Sequence, residues 1–166
     1  MDTVIANSDL SNISNNLFGF IGQFSYENFE LTEGLFEEAE KLCNALNIKV
    51  IQLIEMVDKT PYEEIGNLRG LLLLAPAVIF MKDTKIKPKS KKQEILLSKY
   101  SPTIHKYEST MSMFSDFIDA LEQYFEDSGK HKLSTYLRLI DEYRADRDEY
   151  LKIAEEFIHA DLEKWE

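Results

Sequence analysis

Residues 71–85 read LLLLAPAVIFMKDTK. An apolar run of eleven residues, Leu71 to Met81, has one proline inside it. A membrane-spanning helix needs about 20 apolar residues, so the run is too short to cross a bilayer. A buried helix would carry Pro76 in its middle, at a cost of about 3 kcal/mol. After Pro76 come Ala-Val-Ile-Phe-Met and then the polar stop Lys82-Asp83-Thr84. A short apolar run with β-branched residues and a polar end has the form of a buried strand. Ala77–Met81 is therefore expected to be a strand, with Leu71–Leu74 closing the element before it.

Working outward toward the N-terminus, Pro61 suits the first position of a helical stretch through Tyr62–Leu68. Lys49–Glu55, rich in Val and Ile, is a second strand candidate, with helix as its alternative. Before it, Thr32–Leu46 is amphipathic, with Leu35, Phe36, Ala39, Leu42, Cys43 and Leu46 on one face. Thr32 fits as its N-cap and Asn47 as its end. Leu17–Phe24 reads as a strand with two glycines or as a glycine-weakened helix. Thr3–Ile5 fits a short edge strand and Ser8–Ile13 a short helix.

Toward the C-terminus, Asp83–Pro102 reads as a polar connection. It carries Lys85, Lys87, Lys89, Lys91, Lys92 and Lys99 against Asp83 and Glu94. Thr103–Tyr107 fits a short strand. Ser109–Phe125 is an amphipathic helix stopped by Gly129. Leu133–Trp165 has no Gly or Pro and reads as one long helix, its apolar stripe thinned by Arg144 and Arg147.

The chain has 166 residues and a formal net charge of −11. This length supports one domain with a real core, or a small domain with an extension. The charge argues against nucleic acid as a ligand, because phosphates would be repelled, and it fits protein partners. Cys43 is the one cysteine, so an intrachain disulfide is excluded. A lone thiol suits a reducing compartment, which points to the cytoplasm, or to a lumen if a signal segment has been removed.

Taken in order, residues 3–125 give β-α-β-α-β-α-(Pro)-β-β-α, which resembles the thioredoxin fold. Three stretches carry the resemblance. APAVIFMKDTK is similar to the family's conserved-proline segment. FEEAEKLCNALNIKVIQLIE looks like its helix leading into a central strand. IHKYESTMSMFSDFIDALE resembles the last strand and helix of protein-disulfide-isomerase-type domains. The resemblance implies an α/β sandwich and a cis Ala75–Pro76 bond facing a peptide-binding corner. The family's redox motif would fall at Ser25-Tyr26-Glu27-Asn28-Phe29, where there is no cysteine. Dithiol exchange needs two thiols, so the resemblance implies the redox-inactive, polypeptide-binding branch, with Tyr26, Phe29 and Pro76 at the groove.

Other candidates have plainer readings beside them. Cys43 suits a small core residue better than a reactive thiol. Glu156 and His159 share a helix face, but His105 and His131 supply no second Glu-x-x-His, so a solvated face is favoured over a metal site. A Ser-His-Asp site stays open by composition, without a Gly-x-Ser-x-Gly or a phosphate-binding glycine loop. The lysine-rich segment could dock an acidic partner or membrane headgroups, or pair with the chain's own acidic helices; a solvated loop is the plainer reading.

These observations lead to an α/β, thioredoxin-like domain at 1–128 with a helical extension at 129–166, and to an all-α helical bundle as the alternative fold. The expected function is a redox-inactive, chaperone-like or scaffold protein-binding module that is not an enzyme and needs no cofactor, metal or catalytic residue. Its partner contacts are expected at Tyr26, Phe29 and Pro76, and at Phe157 and Trp165 along the C-terminal helix, through which a homodimer is an open option. The rival is a small acidic all-α inhibitor or immunity protein blocking a basic partner site, and the third reading is an enzyme with an unrecognised site.

Overall fold

A computed structural model describes the backbone of residues 2–23 and 33–165, and the side chains of residues 9–23, 33–149, 151–153 and 156. Among the described residues there is no strand. Helices α1 (Asp2–Gln23), α2 (Glu33–Lys59), α3 (Ala75–Asp83), α4 (Lys91–Lys99), α5 (Ser101–Glu126) and α6 (Leu133–Trp165) follow in order. Two 3-10 segments, Tyr62–Glu64 and Gly66–Leu74, join α2 to α3. The thioredoxin-like α/β expectation, and with it the protein-disulfide-isomerase-type resemblance, is overturned. The helical-bundle alternative fits.

Each expected strand fails for a local reason. In the 71–81 run, Pro76 does not interrupt a helix. It falls at the second residue of α3, after a 3-10 segment that ends at Leu74. There its missing N–H takes no bond from α3 itself, whose first turn has no i−4 carbonyl within the helix. Leu68, Leu71, Val78 and Met81 point inward at helical spacing. No cis peptide bond occurs among the described residues, so Ala75–Pro76 is trans and not the cis bond the resemblance implied. No helix among the described residues is long and apolar enough to cross a membrane.

Lys49–Glu55 lies inside α2. The buried residues of that helix are Phe36, Ala39, Cys43, Leu46, Val50, Leu53 and Val57. They alternate steps of three and four without a break, a heptad stripe that carries the helix past Asn47. Thr3–Ile5 and the described part of Leu17–Phe24 belong to α1, where Leu10, Leu17 and Ile21 are buried on one face. Thr103–Tyr107 is the opening of α5, with Pro102 at its second position. The proposed cap Thr32 lies outside the described residues.

The α4 helix replaces part of the expected polar connection. Ser90 caps it by accepting a bond from the Gln93 N–H (3.2 Å), while the Lys89 N–H donates to Gln93 Oε1 (2.7 Å). This is a near relative of the capping box.

The core is organised around α5. Tyr107, Phe114, Phe117 and Leu121 are buried along its inner face, and α1, α2, α3 and α6 pack beside it or each other. Aromatic contacts tie the layers: Phe20 meets Phe36 edge-on at 6.0 Å and Tyr107 at 5.8 Å. The turn after α5 requires Gly129. Its N–H bonds to the Tyr124 carbonyl (2.9 Å), its φ is +71°, and a Cβ there would stand 2.7 Å from the Tyr62 ring.

Candidate functional site

The α6 helix is where the bundle opens to solvent, and its first two turns are firmly held. Leu133 and Tyr136 are buried, and Leu137 and Ile140 pack on the core. Asp58 on α2 accepts a bond from the Ser134 N–H at 3.3 Å, capping α6 from a neighbouring helix. The Tyr136 hydroxyl donates to Asp127 Oδ2 at 2.7 Å. Burial, then this hydrogen bond to a carboxylate, pushes the phenol up to about 12. The Tyr136 ring lies edge-on to Tyr124 at 6.4 Å.

One turn past Ile140, Arg144 reaches back to Asp116 on α5. Its Nη1 donates to Oδ2 at 3.0 Å and its Nη2 to Oδ1, a two-pronged pair. The Asp116 side chain is 11% exposed and that of Arg144 44%. The hydrogen bonds to Asp116 raise the guanidinium pKa further. Arg144, which thins the apolar stripe in the sequence, is thus the clamp of the helix. Nearby, burial and then the Asp116 charge raise the carboxyl pKa of Asp119, opposed by Lys82 and Arg144.

Past Ile140 the character of the helix changes. Every described side chain from Asp141 onward is exposed, through residue 149, at 151–153 and at 156. They include Asp141, Glu142, Asp146, Asp148, Glu149 and Glu156, interleaved with Tyr143, Leu151 and Ile153. At the root of this helix, α2, α5 and α6 enclose a groove of about 420 Å³. Its wall is apolar, from Val50, Ile54, Met113, Phe117 and Leu137, and Asp116 and Asp141 stand among the lining residues. An apolar wall with carboxylates beside it suits an apolar side chain next to a cation.

The residues expected from sequence distribute unevenly. Tyr26 and Phe29 lie outside the described residues. Pro76 is exposed on α3, in a trans bond, so the corner implied by the resemblance loses its basis. Phe157 and Trp165 fall within α6, but their side chains lie outside the described set. Cys43 is fully buried on α2, and burial pushes its thiol up to about 11.

His105 and Ser109 are one turn apart on α5, yet among the described residues His105 makes no hydrogen bond to a serine or a carboxylate. No group of three or more His, Cys, Asp or Glu among the described residues is placed to hold a metal ion. Sequence reasoning missed the groove and the Asp116–Arg144 clamp. The one available signal was an aspartate on the inner side of an apolar helix, which calls for a cationic partner. Comparison of the chain with protein-family models, with curated proteins and with solved structures gives no match.

Proposed function

We propose that this protein is an acidic, all-helical binding protein that covers a basic site on a protein partner, in the manner of an inhibitor or immunity protein. The observation that carries the reading is the exposed stretch of α6. From Asp141 it presents carboxylates and apolar side chains together, and it leaves the bundle from a clamped base with an apolar groove beside it. Carboxylates spread along a helix attract a basic surface from a distance and set its orientation. Tyr143, Leu151 and Ile153 supply the apolar contact that charge alone lacks. The helix continues through the positions of Phe157 and Trp165, the aromatic anchors expected from the sequence. The net charge of −11 favours a basic protein over a nucleic acid.

The test is capture of a partner by the full chain and by a variant with Asp141→Asn, Asp146→Asn, Asp148→Asn and Glu149→Gln. All four positions are exposed, so the fold should survive. The expected result is a basic protein held at one-to-one stoichiometry by the parent chain. Raising salt from about 0.1 to about 0.5 M should release it, because screening shortens the reach of exposed charges. The variant should bind it at least about tenfold more weakly. A partner that is acidic, or one held equally by the variant, would overturn the proposal.

A further inference from the structure

Away from α6, an exposed apolar stretch is followed along the chain by unpaired cations. The 3-10 segment Gly66–Leu74 runs directly into α3. Along the outer side of this continuous helical stretch stand Leu73 (84% exposed), Pro76, Ile79 (55%) and Phe80 (48%). Phe18 on α1 extends the ridge, its ring 5.1 Å from that of Phe80. The linings of the grooves at Asn15–Leu42, Val50–Asp141 and Asp119–Arg147 include none of these residues. The exposed apolar residues are separate from those three grooves.

The chain that follows α3 carries the opposite sign from the rest of the molecule. Ile86 packs on the core while its neighbours Lys85 and Lys87 are exposed. Lys91 and Lys92 occupy the first turn of α4 and are also exposed. These four form no ion pair with a described residue. Cations at a helix N-terminus oppose the helix dipole, so folding alone does not account for two of them there. Lys82 is different, since it faces Asp119 on α5.

We propose that the Leu73–Phe80 ridge and the Lys85–Lys92 segment dock together on an anionic lipid bilayer. The apolar ridge would enter the boundary between headgroups and acyl chains, and the lysines would meet the anionic headgroups beside it. A second copy of the chain fits less well. A two-fold interface places the same patch against itself, so the lysine segments would face each other. The net negative charge of the remaining surface orients the molecule, turning its acidic helices away from the leaflet.

The experiment is co-sedimentation of the full chain with vesicles of phosphatidylcholine alone and of phosphatidylcholine containing about 40% phosphatidylglycerol, at low salt. Two variants are compared, Ile79→Ser with Phe80→Ser, and Lys85, Lys87, Lys91 and Lys92 all changed to Gln. Both alter exposed side chains, and circular dichroism checks that both remain helical. The parent chain should sediment with anionic vesicles and not with neutral ones. Each lysine near an anionic leaflet strengthens binding roughly fivefold, so the Gln variant, lacking four of them, should bind on the order of 600-fold more weakly. The Ser variant should weaken binding at least about tenfold, through lost apolar burial. Absence of sedimentation, equal binding to neutral vesicles, or binding unchanged in both variants overturns the proposal. So does a concentration-dependent dimer, formed without vesicles, that either variant abolishes.

Discussion

Cys43 lies at the centre of the α2 stripe, between Ala39 and Leu46, with no exposure to solvent. The surrounding apolar groups disfavour the thiolate, so the thiol pKa rises from its ordinary value near 9 to about 11, against a smaller opposing effect from the Thr110 hydroxyl. A thiol that is both inaccessible and neutral is a poor nucleophile. In the native protein at pH 8, Cys43 should therefore fail to react with a chromogenic disulfide reagent, and in denaturant one thiol per chain should react fully. Linkage gives the same site a pH signature. The folded state holds this proton more tightly than the unfolded state, so the stability it confers is complete below about pH 9 and is lost as pH rises toward 11. Chemical denaturation across that window should show a decline that is smaller in Cys43→Ala. Ready labelling of the native thiol at pH 8 would show that the α2 stripe opens easily.

At the scale of the element, α2 and α6 show what a sequence states openly and what it conceals. Leu133–Trp165 was legible as one helix, because an interval without Gly or Pro and with apolar residues at steps of three and four has few other solutions. The same logic applied to α2 gives a continuous stripe from Phe36 to Val57. The β-branched content of Lys49–Glu55 suggested a strand, but period outweighs composition when the stripe is unbroken. Residues 71–81 are harder. Leu73, Ile79 and Phe80 are apolar yet exposed, and they hide the inward spacing of Leu71, Val78 and Met81. Helix α4 was announced by Ser90 and Gln93, three residues apart, ahead of Ile95-Leu96-Leu97. The groove and the clamp arise only when α2, α5 and α6 come together, so no local pattern encodes them. The clamp has a measurable consequence. Arg144→Ala would leave the mostly buried Asp116 carboxylate without its partner, at a cost of about 1–2 kcal/mol once the partial exposure of Arg144 is allowed for. Asp116→Asn in the Arg144→Ala background should recover part of that loss, and a double-mutant cycle by urea denaturation should return a coupling of about 1 kcal/mol. Strict additivity of the two changes would mean that the pair does not hold α6.

At the scale of the molecule, the chain divides its charge between surfaces of different use. The exposed Lys85, Lys87, Lys91 and Lys92 follow the apolar ridge along the chain, whereas the described carboxylates of α6 from Asp141 onward lie beyond Leu133, Tyr136 and Ile140. Exposed ion pairs such as Lys106–Glu40 at 3.5 Å and Lys49–Asp9 at 3.3 Å link neighbouring helices, but each is worth at most about 1 kcal/mol. The bundle is instead held by its apolar interior, and the described side chains of α6 contribute to it only at the beginning of the helix. Two truncations separate the roles of that helix. A chain ending at Gly129 loses Leu133 and Tyr136, both buried, and the packing of Leu137 and Ile140. Burial of such side chains is worth about 1.5–3 kcal/mol each, so the loss should be roughly 5 kcal/mol, a large share of the stability of an ordinary domain. A chain ending at Asp148 keeps these residues and the Arg144–Asp116 clamp, and of the described side chains it removes only exposed ones. Its thermal midpoint should stay within about 3 °C of the parent, a shift equivalent to roughly 1 kcal/mol for a domain of this size. The same chain should hold the basic partner less tightly than the parent does. If ending at Asp148 unfolds the protein, the distal part of α6 belongs to the structural core and its exposed acidic face is not a free binding element.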